Sequence, residues 1–87
     1  MKIKANYVLR TVANEHIVVP IGNEAVNFNG VLSLNATGKW LWEQLQTEIT
    51  LESLIERMVE TYQVDEITAK KDILAFINKL KLKAMME

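Results

Sequence analysis

The chain changes its period at residue 35, and that change limits the fold more than any other feature. From Asn35 onward, apolar residues recur at helical spacing, each run preceded by a capping side chain. Asn35 is a strong N-cap before Ala36-Thr37-Gly38, and Leu41, Trp42 and Leu45 follow at helical intervals. Thr50 caps a second helix with an apolar stripe of Leu51, Leu54, Ile55, Met58, Val59 and Tyr62. Asp65 caps a third, in which Ala69, Ile73, Phe76, Ile77 and Leu80 mark a buried face. The links, Gln46 to Ile49 and Gln63 to Val64, are short enough to keep the three helices as neighbours.

Before residue 35 the pattern is that of strands. Tyr7 to Val12 favours a strand, and Ala13-Asn14-Glu15 a turn. His16 to Ile21 reads as a second strand, with Pro20 marking its end as an edge. Gly22-Asn23-Glu24 and Asn29-Gly30 are further turn signals, and Val31 to Leu34 makes a short strand after them. Val26, Phe28, Leu32 and Leu34 share one parity and therefore one face. A small antiparallel sheet cannot bury its apolar face alone, so it must pack on the helices. Three helices with a sheet attached are the makings of a winged-helix unit, although here the sheet comes first.

With 87 residues the chain has room for one domain. No apolar run reaches the roughly 18 residues a membrane span needs, and the start lacks the apolar core of a signal peptide. A cytoplasmic location with no membrane association is expected. The absence of cysteine removes disulfides and thiolate chemistry. His16 is the one histidine, so no His-pair metal site and no convincing Ser/His/Asp set can be assembled. Gly22, Gly30 and Gly38 stand apart and form no phosphate loop. The pair Glu52 and Glu56 reads as a solvated helix face, Trp42 as core in register with Leu45, and Trp40 as partly exposed. No catalysis and no cofactor are expected.

The net charge of −1 hides an uneven distribution. The second helix has an excess of acid, with Glu52, Glu56 and Glu60 against Arg57. The third has an excess of base, with Lys70, Lys71, Lys79, Lys81 and Lys83 against Glu66 and Asp72. A basic third helix offers one reading, a winged-helix DNA binder, which the acidic second helix opposes by repelling phosphate. The third helix offers another. At about 100° per residue, Lys70, Leu74 and Lys81 fall together on a shoulder beside Ile77. That shoulder suits an extended peptide with apolar and acidic side chains; the alternative is an ordinary solvated edge. Val31 to Leu34 has neither charge nor proline, the usual protections of an edge strand. As an edge it can accept a peptide strand, or a second copy of the chain in a homodimer.

Leu34-Asn35-Ala36-Thr37-Gly38, followed by Leu41-Trp42 and Leu45, resembles the PqqD-like family, whose fold is also called the RiPP recognition element. Matching segments include Tyr7 to Arg10, Ile17 to Pro20, Ala25 to Gly30, Tyr62 to Asp65 and Asp72 to Leu80, so the resemblance covers nearly the whole chain. It implies an α+β, winged helix-turn-helix-like fold in one domain, residues 1–87, with an N-terminal three-stranded antiparallel sheet packed on a three-helix bundle. It implies a non-catalytic adaptor for the leader peptide of a ribosomally made precursor, serving a modifying enzyme, often of the radical S-adenosylmethionine type. Carried over, Val31, Leu32, Ser33 and Leu34 would pair with the leader backbone, and Lys70, Leu74, Ile77 and Lys81 would line the groove. Asn35 and Gly38 would be structural, the latter allowing close packing near Trp42. The chain lacks the glycine that commonly ends the family's last helix. The helix is therefore expected to run on, or to leave Met85 and Met86 exposed.

Overall fold

A computed structural model describes residues 1–22 and 32–87. In it, β1 (Tyr7–Val12) and β2 (Glu15–Pro20) form an antiparallel hairpin, with Tyr7 opposite Pro20 and Val12 opposite Glu15. The loop is two residues, Ala13 and Asn14, with φ of 52° and 66°. Positive φ at both positions is what a type I′ turn requires, and its twist matches that of the strands it joins. Glu15, expected in the turn, therefore belongs to β2.

The third strand, β3 (Leu32–Leu34), pairs antiparallel with β2, Val18 opposite Leu32 and His16 opposite Leu34. The order β1-β2-β3 makes β2 central, so Pro20 does not mark an edge strand. It is tolerated because it is the last residue of β2, beyond the Val18–Leu32 pair that ends the described β2–β3 ladder. Ile21 leaves the strand and donates its N–H to the Asn6 carbonyl at 2.8 Å. The expectations for Val26, Phe28, Asn29-Gly30 and Val31 lie outside the described residues.

Three helices follow: α1 (Ala36–Gln44), α2 (Leu51–Tyr62) and α3 (Glu66–Leu82). Each begins at the capping residue read from the sequence. The Asn35 side chain accepts from the Gly38 N–H at 2.8 Å, Thr50 from Ser53 at 3.1 Å, and Asp65 from Thr68 at 2.6 Å. These bonds satisfy backbone donors that the helix itself leaves free. The Thr68 bond also holds the Asp65 carboxyl below its ordinary value of 3.8.

Leu32 and Leu34 point inward and Ser33 outward. The core joins both leucines and Val18 to Leu41, Trp42 and Leu45 of the α1 region, Leu54 and Met58 of α2, and Ala69, Ile73, Ile77 and Leu80 of α3. Trp42 is buried, whereas Trp40 is partly exposed and meets Tyr62 edge-on with ring centroids 5.4 Å apart.

The last helix stops at Leu82 without a glycine. Ala84 takes the left-handed conformation instead, at φ 56°. The Met85 N–H then reaches the Leu80 carbonyl at 3.0 Å, and the Ala84 N–H reaches Lys81 at 3.0 Å. This pair of bonds is the Schellman closure, with Leu80 and Met85 supplying the apolar contact that accompanies it. Both sequence expectations for this end are thus corrected: the helix does not run on, Met85 is fully buried, and Met86 is half-buried.

The N-terminal segment makes the burial of Met85 possible. The Lys4 N–H donates to the Met85 carbonyl at 2.8 Å, Ile3 bridges to Met86, and the Glu87 N–H donates to Lys2 at 2.9 Å. On the other side, Ile3 donates to the Leu45 carbonyl at 3.0 Å and Ile49 to that of Met1 at 3.1 Å. Residues 1–4 are therefore laced between the α1–α2 connection and the tail. Among the described residues, no helix is long and apolar enough to cross a membrane.

Candidate functional site

A cleft opens where β3 runs into α1 and both meet α3. One part is lined by Ser33, Leu34, Asn35, Gly38, Phe76 and Lys79. The other shares Asn35, Gly38, Phe76 and Lys79 and continues past Thr37 and Leu41 to Asp72 and Ala75. The shared residues make the two parts one trough. It starts at the β3 strand, crosses the first turn of α1, and has the Asp72–Lys79 face of α3 as its far wall.

Local sequence shapes this trough. Leu34 turns into the core at the end of β3, and the next residue, Asn35, already caps α1. The helix can start so abruptly because Gly38 carries no side chain there. A Cβ at Gly38 would lie 3.2 Å from Asn35 Oδ1 and 3.3 Å from Leu34 Cβ. The glycine thus permits close approach to Leu34 and Asn35, rather than chiefly to Trp42. Phe76, half-buried, packs against the core and also contributes to the trough. Asp72 and Lys79 stand two turns apart on α3, roughly 10 Å, so an acid and a base border the same apolar surface.

β3 pairs with β2 alone among the described strands. Its other edge is therefore unpaired by any described strand, and it begins the trough. Backbone donors and acceptors, an apolar floor and fixed charges of both signs come together here. That combination can hold an extended polypeptide by strand addition and read its side chains.

The residues singled out from sequence are distributed as follows. Ser33 and Leu34 line the trough, Leu32 lies beside them in β3, and Val31 is outside the described residues. Ile77 is buried in the core. Lys70, Leu74 and Lys81 are exposed, roughly half a turn of α3 away from Phe76 and Lys79, and none lines the trough. The sequence places Phe76 in the buried face and Lys79 among the lysines of the DNA-binding reading, and assigns neither of them, nor Asp72, to a peptide site. Phe76 did carry a signal, as the one aromatic in the helix's apolar stripe, but a stripe does not say which of its members borders an opening. His16 lies elsewhere, its Nδ1 2.9 Å from Thr11 Oγ1 on the neighbouring strand. Among the described residues, no group of three or more histidines and acids is placed to hold a metal ion.

The family model described as Coenzyme PQQ synthesis protein D (PqqD) matches residues 15–85. No curated protein matches the chain. Among solved structures, that of TbiB1 in complex with the TbiA(beta) leader peptide is similar, with a TM-score of 0.78 and 23% identity. The match covers 100% of this chain and 95% of that one, and at this identity it is a likeness of fold.

Proposed function

The chain belongs to the PqqD family, and from that premise we propose that it is a non-catalytic adaptor for the leader segment of a ribosomally made precursor peptide. Residues 1–87 would act as one peptide-binding unit, adding the leader as a strand to β3 and presenting it to a modifying enzyme. A radical S-adenosylmethionine enzyme is the type expected of the family. The observation that carries the reading is the edge of β3 that no described strand pairs, beside the trough. The similar TbiB1 fold, solved with a leader peptide, supports it.

Backbone bonds along Leu32–Leu34 would supply affinity without regard to sequence, and the trough would supply selectivity. Phe76 offers an apolar contact, Lys79 a partner for an acidic side chain, and Asp72 a partner for a basic one. Charged rims of this kind act mainly on encounter rate and register. The DNA-binding alternative gains no support. Lys79 shares its trough with Asp72, while Lys70 and Lys81 lie on another side of α3, so the lysines form no single phosphate-tracking face.

Titration of isotope-labelled protein with leader peptides encoded nearby tests this reading. Amide shifts concentrated at Leu32–Leu34 and Asp72–Lys79 are expected. Saturable shifts confined to the opposite side of α3 would place the peptide elsewhere and refute the trough.

A further inference from the structure

Backbone pairing alone leaves the direction and register of a leader undecided. β3 offers three residues, and none of them carries a charge. So short and neutral a ladder specifies register weakly. The trough supplies what β3 lacks. Among the described residues that line it, Asp72 and Lys79 are the two that carry charge, and they stand apart. Lys79 borders the β3 part, whereas Asp72 borders only the part that lies over α1. Phe76 lies about midway between them on α3. Both charges are exposed, and among the described residues neither is in an ion pair. Nor has either an opposite charge three or four positions away along α3, where helix neighbours meet. The trough therefore carries a lengthwise charge order, base at β3 and acid over α1.

We propose that Lys79 and Asp72 read the order of charges in the leader, and so set its direction and register. The inference rests on the adaptor reading and adds to it the class of peptide taken. Both ladders of the sheet are antiparallel, the slightly more stable pairing per residue. β3 runs toward α1, so a strand added antiparallel to it runs from α1 back along β3. Its earlier residues lie by Asp72 and its later ones by Lys79. The leader therefore carries a basic residue first and an acidic one after it. Asp72 and Lys79 are about 10 Å apart along the helix. Alternate residues of an extended chain share a face and lie about 7 Å apart, so an acidic residue four positions after the basic one spans about 13 Å. The long Lys79 side chain covers the difference, and the residue between the two charges on the same face meets Phe76. The pattern is basic, any, apolar, any, acidic. A leader entered in reverse sets like charges against each other, and one slipped by two residues moves both charges off their partners.

Fluorescence anisotropy tests this with two peptides: the leader encoded beside this chain, and an analogue in which the basic and acidic residues of the pattern are exchanged. Each is titrated with wild type and with D72K/K79D. Both exchanges leave net charge unchanged, so general electrostatic attraction cannot distinguish the peptides. Wild type should bind the encoded leader about tenfold more tightly than the analogue, the effect of two exposed attractions replaced by two repulsions. D72K/K79D should reverse the preference. Both substituted positions are exposed, and the comparison within wild type stands even if the variant folds poorly. Equal affinities for the two peptides in wild type, or a preference that stays unreversed in a folded variant, overturn the proposal and leave the adaptor reading standing. An encoded leader without this order of charges also overturns it. Failure of wild type to bind either peptide refutes the adaptor reading, and this inference with it.

Discussion

Replacing Ala84 with glycine should make the protein more stable, and the size of the gain can be worked from the helix end. Ala84 holds φ at 56° so that Met85 can turn back onto Leu80. A left-handed L-residue costs roughly 1–2 kcal/mol. Glycine removes that cost but loses about 0.4–1 kcal/mol through the greater freedom of its unfolded chain. The central values leave a net stabilisation of roughly 0.5–1 kcal/mol. For a domain of this size that is a rise in Tm of about 2–8 °C. Thermal melts followed by circular dichroism, checked by urea titration at constant slope, would measure it. Ala84→Val is the opposing control, since a β-branched side chain tolerates left-handed backbone worst. A glycine variant melting at or below wild type, or a valine variant melting with it, would refute the Schellman account of this end.

Further outcomes follow from other positions. Ala13→Gly should also stabilise, by up to about 1 kcal/mol, because Ala13 occupies the first positive-φ position of a type I′ turn; an unchanged urea midpoint counts against that turn. Asp65 binds a proton less readily folded than unfolded, so its contribution is present above the ordinary value of 3.8 and is lost as pH falls through the lower folded value. Asp65→Asn keeps a capping oxygen without the charge, and its Tm should fall less steeply than wild type between pH 5 and 2. Gly38→Leu would place a side chain against the capping Asn35 and Leu34 in the trough, and should both lower Tm and weaken leader binding more than tenfold. N-methylating the leader's amides one at a time should weaken binding at alternate residues only, by roughly 1–2 kcal/mol each, about 5- to 30-fold in Kd; equal losses at consecutive positions would exclude strand pairing.

What the sequence disclosed divides by range. Asn35, Thr50 and Asp65 were legible as caps because a cap is a contact between residues three apart. β1 was legible to its end residues because its composition is local too. The face of α3 that borders the trough was not. Periodicity separates Ile73 and Ile77 from the solvent side, yet Phe76 and Leu74 flank that stripe in ways that only β3 and the start of α1 distinguish. The central place of β2 was also hidden, since Pro20 reads as an edge until the ladder shows that it lies past the last described pair. At the C-terminal end the absent glycine misled, because Met85 is drawn inward by residues at the far end of the chain.

The lacing of residues 1–4 onto the tail also bears on the order of folding. Its bonds join positions nearly the whole chain apart, Lys4 to Met85 and Lys2 to Glu87. Contacts of such separation carry the largest loop-closure entropy and form only when the intervening elements are in place. Substitutions in this lacing should therefore leave the refolding rate nearly unchanged and speed unfolding, with φ-values near zero. The lifetime of the native state would then be governed by the contacts between residues 1–4 and the tail rather than by the site itself.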